Sequence, residues 1–140
     1  MKILLAVDGS AYTQRMLDYL RTHRSQLGAG SDFTVFHAVL AVPHRAAAFA
    51  GPDLVRNYYD DEARVVLDPV RASLREAGIE AEFVHKGGPP PDEVAALAGA
   101  GKFDLVVMGS HGQGALANLV LGSVATKVLA NCTVPVLVVR

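Results

Sequence analysis

Tryptophan is absent from this 140-residue chain, cysteine occurs once, and neither sign of charge dominates: thirteen Lys and Arg stand against fourteen Asp and Glu, a formal net charge of −1. Each shortage excludes something. The single thiol, Cys132, cannot close an internal disulfide and suits a reducing compartment, so a cytoplasmic location is expected. Balanced charge without a block of about five like charges lacks the electrostatic footprint of a nucleic-acid binder. The four Tyr and five Phe are not interleaved with Lys and Arg as a base-stacking surface requires. Apolar runs such as Leu105 to Met108 and Val134 to Val139 fall far short of the roughly 20 residues of a membrane-spanning helix. The opening stretch Ile3 to Val7 meets Asp8 and reads as a strand instead of a signal-peptide core.

What is present suits one globular domain over residues 1–140, since 51% of the chain is hydrophobic and 19% charged. Apolar segments of strand length recur between longer helical patterns. Parallel strands covered on both faces read as continuous Val, Ile and Leu runs. Five segments qualify: Lys2 to Val7, Asp32 to Val39, Glu80 to His85, Phe103 to Met108 and Val134 to Val139. The third is the least apolar and a candidate edge strand. One helix is expected from Ser10, burying Tyr12, Met16, Tyr19, Leu20 and Leu27 before Gly28 and Gly30 stop it. A second runs from about Asp53 to Ala77 with Leu54, Tyr58, Val66, Val70 and Leu74 inward, and Pro69 predicts a kink or break. A third opens at Pro91-Asp92-Glu93 and buries Val94 and Leu97, and a fourth leads from Ser123 towards Ala130. The segment Ala41 to Gly51 reads as a long connection. The alternation implies an α/β fold with a parallel sheet.

Ligands of such sheets bind at the carboxyl ends of the strands, and two turns there are unusual. Asp8-Gly9-Ser10 follows the first strand; Gly109-Ser110-His111-Gly112-Gln113-Gly114 follows the fourth, and leads on to Gly122-Ser123-Val124. Glycines let backbone N–H groups approach an anion, and a helix start at Ser123 adds free N–H donors and partial positive charge. No lysine-bearing P-loop is present, and the first turn, with only Gly9, does not supply the G-x-G-x-x-G of a dinucleotide fold. His23, His37, His44, His85 and His111 show no i, i+4 pair and no Cys partner, so no metal site by side-chain cluster and no catalytic residue is assigned. Asp8 has a second reading as a cap of the first helix.

The spacing Gly109-x2-Gly112-x9-Gly122-Ser123 resembles the ATP-binding loop of the universal stress proteins. Ile3-Leu4-Leu5-Ala6-Val7-Asp8-Gly9-Ser10, His37-Ala38-Val39 and the closing Val134-Pro135-Val136-Leu137-Val138-Val139 extend the resemblance over nearly the whole chain. It implies a three-layer α/β/α, Rossmann-like fold of the adenine nucleotide alpha-hydrolase-like type, with a five-stranded parallel sheet in the order 3-2-1-4-5. It also implies that Ala6, Val7 and Asp8 approach the nucleoside and phosphates and that Ala38 lines the adenine. Gly109, Gly112, Gly122 and Ser123 would wrap the phosphates, with Ser110, His111 and Val124 as neighbouring backbone contacts. ATP, or AMP or cyclic AMP, is the implied ligand, with Mg2+ or Mn2+ carried by the phosphates. A homodimer through the final strand is implied as well.

This chain departs from many ATP-binding relatives in having no Lys or Arg between Gln113 and Leu121, and its third-strand turn, Gly87-Gly88-Pro89-Pro90-Pro91, is richer in proline. Three functions compete: a nucleotide-dependent regulatory module in stress response with slow or no hydrolysis; a weak ATPase or nucleotidyl-transferring enzyme using Asp8 and a metal with His111 as acid or base; and a nucleotide-free interaction protein.

Overall fold

The computed structural model describes residues 1–27, 30–114 and 118–140. The elements, in order, are β1 (Lys2–Ala6), α1 (Ala11–Thr22), β2 (Asp32–Val39), α2 (His44–Ala50), α3 (Pro52–Glu76), β3 (Ala81–Gly87), α4 (Pro90–Ala100), β4 (Leu105–Gly109), α5 (Ser123–Asn131) and β5 (Val136–Val139). All five strands are parallel and lie in the order β3-β2-β1-β4-β5, as the resemblance implied.

Period-two alternation in β1 explains the three layers. Ile3 and Leu5 face one side with Met16, Leu17 and Leu20 of α1 and Ala63, Leu67, Val70 and Leu74 of α3. Leu4 faces the other with Val94 and Ala98 of α4 and Ala125 and Val128 of α5. Because both faces are covered, Ile3, Leu4 and Leu5 are all fully buried, which is why the strand reads as an unbroken apolar run. β3 is an edge strand, and its residues alternate between half-buried and exposed.

Several expectations are corrected. α1 stops at Thr22, capped by His23, whose N–H bonds to the Tyr19 carbonyl, well before the expected glycine stop; Gly28 lies outside the described residues. Of the kink or break expected at Pro69 the break does not occur: α3 is one continuous helix through it. Pro69 and Val65 are both exposed, so the Val65 carbonyl that loses its N–H partner to the proline opens to water. Leu54 and Tyr58 do not enter the core; both are exposed on the first turns of α3. Ala41 to Gly51 contains a two-turn helix, α2, none of whose residues is buried. Among the described residues no helix is long and apolar enough to cross a membrane.

Candidate functional site

β1 and β4 are neighbours at the centre of the sheet, and their chains leave to opposite faces, β1 into α1 and β4 towards α5. That divergence opens a crevice at the carboxyl ends of the strands. A cleft of about 660 Å³ fills it, within the range of small-molecule sites. Ala6, Val7, Asp8, Ala38, Gly109, His111, Gly112, Gly122, Ser123 and Val124 all line it. The structure thus brings together ten of the eleven residues singled out in the sequence. Ser110 is the exception: it is fully buried beneath the loop, and its N–H, C=O and hydroxyl already bond to Val139, Gly122 and His111.

Part of the cleft lining is apolar. Phe36 and Ala38 of β2, Met108 of β4 and Val94 of α4 are buried, and with Pro90 they give a floor and wall suited to a flat, weakly polar ring. Asp8 lines the same cleft. Its Oδ1 accepts hydrogen bonds from the Ser10 N–H at 2.9 Å and the Thr13 hydroxyl at 3.0 Å. Thr13 Oγ1 in turn accepts from the Asp8 and Gly9 N–H groups at 3.1 and 3.2 Å. This closed circuit ties the end of β1 to the start of α1 and fixes the carboxylate. Asp8 therefore organises the helix start through Oδ1 while Oδ2 faces the glycine loop. A Cβ placed on Gly112 would sit 2.7 Å from that oxygen, so only glycine fits there without pushing the carboxylate aside.

The loop returns close upon itself. The Gly122 N–H bonds to the Ser110 carbonyl at 2.7 Å, and a Cβ on Gly122 would lie 3.0 Å from His111 Cα. Gly122 is the N-cap of α5, with φ −70° and ψ 164° and no side chain to occupy the first-turn N–H groups. Those donors and the helix dipole are directed to the same cleft that Asp8 borders. Of the insert, residues 115, 116 and 117 lie outside the described residues; Gln113 reaches back towards the Asp8 carbonyl at 3.5 Å.

The cleft also recruits residues that sequence reasoning missed. Thr13 completes the Asp8 circuit, and Tyr58, Glu62, Val65 and Val66 of α3 form one wall. Thr13 had a signal, its position one turn into a helix that follows an acidic turn. Glu62 had none, because only the packing of α3 brings it to the strand ends. Its charge matters: among the described residues lining the cleft are two carboxylates, Asp8 and Glu62, and no Lys or Arg. Nor do the described residues include any group of three His, Cys, Asp or Glu able to hold a metal ion by themselves.

Comparison with known proteins agrees with this architecture. The universal stress protein YxiE of Bacillus subtilis is 30% identical over 150 aligned positions, covering 99% of this chain and 98% of its own. A universal stress protein of Thermus aquaticus is 32% identical, over 99% of this chain and 97% of the relative. The solved structure of protein MJ0577, whose sequence is that of a universal stress protein of Methanocaldococcus jannaschii, superposes with a TM-score of 0.80 at 26% identity, over 99% of this chain and 94% of that one. The universal stress protein family model matches residues 1–140 from end to end. With the sheet order, the paired turns and these matches in agreement, the chain belongs to the universal stress protein family.

Proposed function

We propose that the cleft binds an adenine nucleotide, ATP with Mg2+ or Mn2+ on its phosphates, and that occupancy serves as a regulatory signal in a cytoplasmic stress response, with hydrolysis slow or absent. One observation carries the reading: a fixed carboxylate, an uncapped helix start and the bare backbone of Gly109, Gly112 and Gly122 converge on one cleft that is apolar over part of its lining. The apolar lining suits adenine; the amides and the α5 dipole suit phosphate. Structures sharing the fold, from Arabidopsis thaliana with AMP, from Archaeoglobus fulgidus with dAMP, and a universal stress protein with cyclic AMP, support the ligand class.

Electrostatics decides how a triphosphate would be held. Among the described residues two carboxylates and no Lys or Arg line the cleft, so the phosphate charge is left to amides and a divalent ion. Asp8 Oδ2 has no protein donor among the described hydrogen bonds and is an oxygen of the kind Mg2+ or Mn2+ accepts. Such an ion would neutralise phosphate charge. Chelation with EDTA is expected to weaken ATP binding roughly tenfold or more while changing AMP binding less than about threefold, read by calorimetric titration. Equal ATP affinity with and without EDTA would remove the cation from the account.

β5 is an edge strand paired only with β4, which leaves one row of backbone donors and acceptors open. Homodimerisation through Val136, Leu137 and Val138 would cover it. Light scattering at micromolar concentration is expected to give twice the chain mass; a monomer would contradict this pairing.

A further inference from the structure

Both nitrogens of the His111 ring are engaged. Nε2 lies 2.6 Å from the Leu119 carbonyl oxygen, and since a carbonyl can only accept, Nε2 carries the hydrogen. In the neutral ring Nδ1 is then an acceptor, and the Ser110 hydroxyl donates to it at 2.8 Å. Ser110 is itself immobilised, fully buried and bonded through its N–H to Val139 of β5 at 2.7 Å. The ring therefore spans from the sheet to the returning arm of the insert. Its remaining side packs against Tyr12 of α1, with ring centroids 4.9 Å apart at 38°. Tyr12 can stand there because Gly109 has no side chain: a Cβ on Gly109 would lie 2.6 Å from Tyr12 Cβ.

We propose that His111 is the positioning residue of this loop, a clamp that holds the returning arm at Leu119 against the end of β4 so that the backbone around Gly112 and Gly122 faces the cleft. What the loop is held ready to bind rests on the nucleotide reading above; the clamp itself does not. His111 transfers no proton in this role, because both ring nitrogens are engaged. Leu119 and Gly122 are three residues apart on the returning arm, while Ser110 and His111 are adjacent on the outgoing one. The Gly122–Ser110 backbone bond alone joins the arms at one point; the ring adds a second, and two points fix an orientation where one permits a swing.

The test combines nitrogen-15 spectra of the ligand-free protein with AMP titration of His111→Ala and His111→Gln. Glutamine can still donate an N–H towards Leu119. The clamp predicts a ring held in the Nε2–H tautomer, faster amide exchange at Gly112 and Gly122 in His111→Ala, and AMP binding weakened about tenfold in that variant, the scale of one to two net hydrogen bonds. His111→Gln should recover most of the loss, and both variants should still unfold in one cooperative transition. A ring exchanging between tautomers, or unchanged amide exchange in His111→Ala, would overturn the proposal. If the wild type bound no adenine nucleotide, the reading of the cleft would fail, and the spectra and exchange rates would still decide the clamp.

Discussion

Gly122→Asp is expected to weaken adenine nucleotide binding by roughly 100-fold or more, about 2.7 kcal/mol, while leaving the chain folded. The backbone at Gly122, φ −70° and ψ 164°, is one that aspartate adopts without strain, and aspartate is a favoured N-cap. Its carboxylate would accept from the first-turn N–H groups of α5, the donors assigned to the phosphates. It would also place a third negative charge on a cleft already bordered by Asp8 and Glu62. Crowding contributes separately, since any Cβ there lies 3.0 Å from His111 Cα and 3.1 Å from the Ser110 carbonyl. Gly122→Ala measures the crowding alone. If the alanine and aspartate variants bind AMP equally weakly, the charge argument is wrong; if both bind like the wild type, Gly122 is not at the ligand.

Gly109→Ala should act on stability instead. The added methyl would stand 2.6 Å from Tyr12 Cβ, an atom fixed to the α1 backbone that no rotamer change can remove. β4 and α1 must separate, disturbing the buried packing of Met16, Leu17 and Leu20 on the sheet. Overpacking of this kind costs about 2–3 kcal/mol, a fall of roughly 5–15 °C in the unfolding midpoint for a chain of this length. Urea unfolding with an unchanged m-value checks it. A loss under about 0.5 kcal/mol would mean that α1 shifts freely over the sheet.

The parts of the fold legible in the sequence are those where burial on two sides leaves a simple mark. β1 and β4 read as strands because every residue between Ile3 and Leu5, and between Val106 and Met108, is buried. The pattern predicts Glu80 to His85 and the strand runs Ala81–Gly87, because an edge strand admits Lys86 and needs a bare Gly87: a Cβ there would lie 2.6 Å from the Tyr59 ring. α2 left no periodic signal, since none of its residues is buried and Phe49 is 96% exposed. Leu54 and Tyr58 carry helical spacing, yet they sit exposed on the first turns of α3; Tyr58 borders the cleft. Spacing reports a helix face without saying what covers it.

The candidate site divides in the same way. Asp8 and the glycines stand out because their chemistry is local: a turn after a strand, a helix start, a loop rich in glycine. Thr13, Glu62 and the two-nitrogen engagement of His111 depend on contacts between segments, down to the bond from its ring to Leu119 eight residues on. No periodicity encodes such contacts.

Thermal unfolding of the wild-type chain with millimolar ATP and Mg2+, with GTP and Mg2+ in parallel, tests the central claim most directly. Ligand at about 100 times its dissociation constant stabilises by roughly 2.7 kcal/mol, so the midpoint should rise by on the order of 5–15 °C with ATP and by clearly less with GTP. No rise with ATP, AMP or cyclic AMP would contradict the account: the paired turns would then be structural, and the chain would act without a nucleotide.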